Sequence, residues 1–129
     1  MGSVTDFIEN EWLDHLCNAA FVPAATVFLA LCTGDPTDAA TGAAMSEVAN
    51  AAGYVRKAIT FNAAAARAIV QAGAVSFDQA SGAWGTISHW AVVSSATHGA
   101  GNVYAHGSFT ASFAPVAGNT PTVPAGWPG

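Results

Sequence analysis

The stretch from Gly82 to Tyr104, G-A-W-G-T-I-S-H-W-A-V-V-S-S-A-T-H-G-A-G-N-V-Y, constrains the fold more than any other part of the chain. Glycine-rich turns bound it on both sides. Between them, Thr86 to Ser95 alternates bulky and small side chains, with Val92 and Val93 near the centre. Successive side chains of a strand point to opposite faces, so this alternation predicts a β-strand. The short Ala96–Gly101 turn then leads into N-V-Y-A-H-G-S-F-T-A-S-F, Asn102 to Phe113, which has strand character too. The first segment reads as the central strand of a sheet and the two together as a hairpin. Gly107 is expected to form a bulge or bend in the second arm.

The other segments arrange themselves around that strand. Thr5 to Leu16, T-D-F-I-E-N-E-W-L-D-H-L, is the one clear helix, over about residues 5–17. Ser3 or Thr5 is placed to cap it, and Asp6 and Glu9 sit where the helix dipole favours negative charge. Ile8, Trp12 and Leu16 recur at i, i+4 and i+8, forming the apolar stripe through which it is expected to pack. Thr26 to Thr33, T-V-F-L-A-L-C-T, is apolar on both faces and predicts an interior strand. Gly34 to Asp38 is a turn. Ala39 to Gly53 is small and polar with Glu47 its only charge, and predicts a surface loop with room for a short helix over Met45 to Asn50. Tyr54 to Phe61 predicts a second strand, with Tyr54, Arg56, Ala58 and Thr60 on one face. Asn62 to Ala72 has high helix propensity but no apolar stripe, and reads as an irregular connection. Ala74 to Asp78 is a short strand, and the Pro/Gly-rich tail from Ala117 is extended. Short strands with turn signals at close intervals and one leading helix predict an all-β fold, an antiparallel β-sandwich or jelly roll with one N-terminal α-helix. Residues 1–129 are expected to form a single domain, with the sandwich spanning about 24–125.

Charge bounds the function. Charged residues make up 9% of the sequence against an ordinary quarter or so. A surface that poor in charge suits a chain buried in part against other chains, so a homo-oligomer is expected. The net charge is −5, and Arg56, Lys57 and Arg67 are the only cations, so there is no basic stripe for nucleic acid. No apolar run approaches the roughly 20 residues of a membrane span, and no basic leader marks export. Cys17 and Cys32 are then expected as reduced, packed thiols.

Four histidines invite a metal reading, but His15, His89, His98 and His106 lack the H-x-x-x-H or H-x-H spacing of a zinc site. No G-x-S-x-G is present, and Cys32 has no histidine near it in sequence. Asp35 and Asp38 flank Pro36 as turn-makers, too few oxygens for calcium. No cofactor and no enzymatic activity are expected.

The order of motifs carries a resemblance. P-A-A-T-V-F-L-A-L-C-T-G-D-P-T-D (Pro23 to Asp38) is followed by G-Y-V-R (Gly53 to Arg56), W-G-T-I-S-H-W-A-V-V (Trp84 to Val93) and G-N-V-Y-A-H-G (Gly101 to Gly107). This resembles a family of small virion proteins of tailed bacteriophages and prophages, often labelled tail fibre or minor structural proteins. Its pattern runs P-A-T-L-Y-x-x-L-x-T-x-D-P-T, G-Y-A-R, W-G-T-V-T-H-x-x-I, G-N-x-L-x-x-G. The resemblance implies a non-enzymatic virion component assembled in the bacterial host cytoplasm. Its partners would be other virion proteins, in the capsid as a decoration or cement protein or in the tail or fibre. The family usually continues into a closing strand of the A-L-T-I-T type. Here Trp127-Pro128-Gly129 stands instead, and a neighbouring chain or the virion surface is expected to cover the edge left open.

The residues expected to matter for packing and assembly are Trp12, Phe28, Tyr54, Trp84, Trp90 and Tyr104. An alternative is a carbohydrate- or receptor-binding module in which Trp90, Tyr104 and Trp127 stack on sugar rings.

Overall fold

The computed structural model describes residues 3–66 and 71–124. In chain order the elements are β1 (Ser3–Val4), α1 (Asp6–Leu16), β2 (Val27–Cys32), β3 (Lys57–Ile59), β4 (Val75–Ser76), β5 (Ile87–Val93), β6 (Val103–Phe113) and β7 (Thr122–Val123). Five strands form an antiparallel sheet in the order β1-β6-β5-β2-β3, and β4 pairs with β7 in a two-stranded ribbon. The predicted central strand is β5, flanked by β2 and by its hairpin partner β6. The fold is all-β with a single short helix among the described residues, consistent with a sandwich whose second layer is the ribbon and its neighbouring loops.

Alternation along β2 and β5 sends side chains to two faces, and each face is covered differently. Leu29, Leu31, Trp90 and Val92 face a cluster that takes Val75, Phe77 and Val123 from the ribbon segments and Val48, Tyr54 and Trp84 from the loops. Ala30, Cys32, Ala91 and Val93 face the other way, with Val103, under Ala40 and Met45. Small side chains on that second face let a loop lie close on the sheet.

The structure departs from the sequence expectation in several places, each for a packing reason. Residues 39–53 hold no helix, and the loop is no mere surface feature, because Ala40, Met45 and Val48 are buried against the sheet. The strand expected from Tyr54 to Phe61 shortens to Lys57–Ile59. Tyr54 and Arg56 are buried and so is Ile59, so the inward phase shifts between Arg56 and Lys57. Gly107 is in register opposite Trp90, not in a bulge. The irregularities lie elsewhere. Tyr104 is the extra residue between the partners of Val92 and Val93, and Phe109 to Ser112 lie between the partners of His89 and Ile87, where β5 has only Ser88. Residues 62–66 are not helical; Arg67 to Val70 lie outside the described residues, as does Trp127.

Helix α1 is held at one end. Thr5 occupies the N-cap position but makes no side-chain cap. Its hydroxyl donates to the Val103 carbonyl and its N–H to Tyr104 O at 3.1 Å, tying the helix start to β6. The helix ends in a Schellman turn, with Asn18 at φ 72° and bonds from Ala19 N to Asp14 O and from Asn18 N to His15 O. The predicted stripe is inward only at its start. Ile8 is buried, whereas Trp12 is 53% and Leu16 80% exposed. Cys17, expected to be packed, is exposed; Cys32 is buried, and both are free thiols.

Candidate assembly site

The low charge makes each ion informative, and the most constrained is Arg56. Its side chain is fully buried and pairs with Glu47 at 2.7 Å, whose side chain is 4% exposed. The guanidinium places every N–H. Nε donates to Glu47 Oε1 at 2.8 Å and Nη2 to Glu47 Oε2, the bidentate fork that matches a carboxylate. Nη1 donates to the carbonyls of Ser95 and Ala100, both at 2.9 Å, and Nη2 also to that of Gly42 at 3.1 Å. Tyr54 joins the network, its hydroxyl donating to Glu47 Oε1 at 2.6 Å and accepting from Leu31 N at 3.1 Å. Burial first, and then the Glu47 charge beside it, push the Tyr54 phenol above its ordinary pKa, so it stays a neutral donor.

This network fastens the 40–48 loop and the β5–β6 turn to the sheet. Glycines make the approach possible. Gly42 N–H donates to Gly101 O at 3.0 Å, and a Cβ on Gly42 would lie 2.0 Å from Ala100 O. Gly53 has φ +82°, a conformation open to glycine, and turns the chain so that Tyr54 and Arg56 both point inward. The G-Y-V-R motif is thus a structural clamp.

The six residues singled out in the sequence fall into three environments. Tyr54, Trp84 and Trp90 lie in the core at 2%, 5% and 3% exposure. Trp84 Nε1 donates to Ala52 O at 2.8 Å, and its ring meets Tyr54 edge-on at 5.4 Å. Trp90 lies across from Leu31 on one side and Gly107 on the other, where the missing side chain leaves room for the indole. Phe28 is half-buried on the opposite face, and Tyr104 is half-buried under the helix. The bulge aims the Tyr104 ring outward, onto Phe7 at 5.8 Å with near-parallel planes and edge-on to Phe21. Trp12 alone stands exposed, a correction to its expected packing within this chain. A sugar platform finds no support at Trp90, which is inside, or at Tyr104, whose ring is taken up by Phe7 and Phe21.

The histidines take structural partners. His106 Nε2 donates to Asp38 Oδ1 at 2.8 Å, and Ser3 Oγ donates to the same oxygen at 3.2 Å. These bonds, His106 first, hold the Asp38 carboxyl below its ordinary pKa. Asp35 Oδ1 accepts from Thr37 N at 2.9 Å, the turn-making role expected of it. His98 Nε2 donates to Val48 O at 2.9 Å, at the rim of a shallow depression of about 430 Å³ whose lining includes Met45 and Glu47. His89 lies across from Cys32 in register, a neighbour the sequence did not reveal. Burial, with Glu47 nearby, pushes the Cys32 thiol up to about 12, so it remains a thiol at neutral pH. Among the described residues no group of three or more His, Cys, Asp or Glu is arranged to hold a metal ion.

Two surfaces stand out for contact with other chains. One is the second half of α1, with Trp12, Leu13 and Leu16 exposed. The other is the outer edge of β6. There β1 covers only Ala105 and His106, and no described strand pairs outside Gly107 to Phe113. A missed signal bears on that edge: from Gln79 to the last residue the sequence contains no Lys, Arg, Asp or Glu. Among the described residues no helix is long and apolar enough to cross a membrane.

A charge-poor β-fold whose buried ion pair, Arg56–Glu47, fastens its own loops, with exposed contact surfaces, is the build of a structural protein that works through other chains. Residues 3–127 match the family described as podophage GP4 fiber I protein gp80, and the chain belongs to that family. It is therefore a structural component of a phage virion, interacting with other virion proteins. No curated protein matches the chain.

Proposed function

We propose that the chain is a fibre-associated module of the tail, not a decoration of the capsid, and that copies join along the open edge of β6. The single observation behind the self-contact is that edge. The opposite edge of the sheet, β3, is short and carries Lys57, which pairs with Asp78 at 2.7 Å. Short length and lysine are common guards against edge pairing. The β6 edge has neither, and S-F-T-A-S-F, Ser108 to Phe113, is free of charge and proline. In a chain of net charge −5, it is a place where copies meet without repulsion. The tail location is supported by the family's description as a fibre protein. Acting through protein contacts as one domain, the module needs no cofactor and no catalytic group.

Light scattering on the purified chain tests the self-contact. Thr110 and Ser112 are exposed, so Thr110→Lys with Ser112→Lys should convert an oligomer to monomer while shifting stability by only about 0.5 kcal/mol. A wild-type chain that stays monomeric at high concentration refutes the edge reading. Antibody labelling of intact particles tests location, and label spread over the capsid lattice refutes the tail.

A further inference from the structure

We propose that the C-terminal half of α1 is the anchor that seats this chain on a different virion protein, inserting Trp12, Leu13 and Leu16 into an apolar groove rimmed by Lys or Arg. The proposal rests on the reading of the chain as a virion fibre component, and it names the chemistry of one partner.

The helix is divided by its contacts. Its first turn is pinned: Thr5 to β6, Ile8 buried, and Phe7 against Tyr104. Beyond Glu11 every residue to Ala20 is exposed. Trp12 and Leu16 continue the line that Ile8 begins, so the stripe that enters the protein at one end leaves it at the other. An isolated helix of eleven residues is marginal in water. This one nevertheless runs to a complete Schellman turn, with three large apolar side chains more than half exposed. Tryptophan and leucine together on a rigid helix are suited to a groove, read at i, i+1 and i+4.

Charge decides what covers it. Glu9, Glu11 and Asp14 surround the apolar side chains, and none makes an ion pair among the described residues. A second copy has little to offer them. Of the three cations in the sequence, Arg56 is buried on Glu47 and Lys57 is engaged with Asp78 on the β3 edge, which leaves Arg67 alone. Two such helices face to face would set carboxylates against carboxylates. The complement is a basic-rimmed groove, and it has to come from another protein.

Phage grown with Leu13→benzoylphenylalanine in this chain, irradiated as intact particles, tests the contact directly. The expected product is a crosslink to a different virion protein, in a segment with apolar residues flanked by Lys or Arg. A crosslink to a second copy of this chain, to an acidic segment, or to nothing overturns the proposal. In parallel, Trp12→Ser with Leu16→Ser should lower incorporation into particles about tenfold, in the range of interface hot spots. The same variant should keep its circular dichroism and its oligomer mass in solution. Normal incorporation refutes the anchor, and because the solution oligomer depends on β6, its loss in the Thr110→Lys, Ser112→Lys variant is a separate result.

Discussion

Replacing Arg56 by methionine removes five hydrogen bonds at one position while keeping a long apolar side chain in the space. The Glu47 carboxylate, 4% exposed, would then retain Tyr54 as a donor but lose its counter-ion. The carbonyls of Gly42, Ser95 and Ala100 would lose the donor they share. Breaking a buried ion pair from one side costs about 3–5 kcal/mol, mostly because a charge is left uncompensated. Orphaned carbonyls that water cannot reach add to it, about 1–3 kcal/mol for each one that stays dry. The expected loss for Arg56→Met is therefore at least 3 kcal/mol, at roughly the lower bound of that range. Arg56→Met with Glu47→Leu removes both charges, and it should recover about 2 kcal/mol of the loss, since a matched apolar replacement avoids the stranded carboxylate. Urea unfolding at fixed protein concentration, followed by the fluorescence of buried Trp84 and Trp90, measures both. A single substitution costing under about 1 kcal/mol, or a double variant as unstable as the single, would refute the clamp.

Two further outcomes follow from the same structure. Trp90→Ala should cost about 3–5 kcal/mol, because a buried indole leaves a cavity that Gly107 across the strand pair cannot fill; a shift below about 1 kcal/mol in the same urea titration would misplace the core. Asp38 has a folded-state pKa below its ordinary 3.8, so its stabilising contribution is present above that pH and is lost as pH falls through the lower folded value. Asp38→Asn should accordingly flatten acid unfolding below about pH 4 relative to wild type, and an unchanged acid limb would show that the His106 contact is not maintained in solution.

The strand-rich architecture was legible where local chemistry and tertiary demand agree. Thr86 to Ser95 alternates as a central strand must, and Thr5 to Leu16 carries both helix propensity and an acidic first turn, so both segments fold as read. Position 56 shows the limit. Arginine in an alternating segment reads as solvent-facing, and only a carboxylate brought from a distant loop makes its burial tolerable. That carboxylate, Glu47, is the one charge in a long stretch of small residues, a signal visible in the sequence but silent about its partner. The same pair moved the loop from surface to core and broke the strand phase between Arg56 and Lys57. The helix stripe was correctly seen as apolar, but periodicity says which residues seek cover and not which chain supplies it. The neutral run after Asp78 was equally visible, and it acquires meaning only once β6 is placed at an open edge.

The sheet order also sets a schedule for biosynthesis. Among the described residues β1 pairs only with β6, with Ser3 across from His106 and Val4 across from Ala105. Thr5 likewise waits for Val103 and Tyr104. Asp6 N–H can already bond to Asp38 O at 3.0 Å, but the helix start cannot complete its docking until Val103, 98 residues after Thr5, has been made. Contacts of such long sequence separation form late, and they form together. Copies that have not yet formed β6 therefore display neither the fully docked helix nor the β5-backed edge, and a growing particle that recruits through these surfaces would take up only chains in which both have formed.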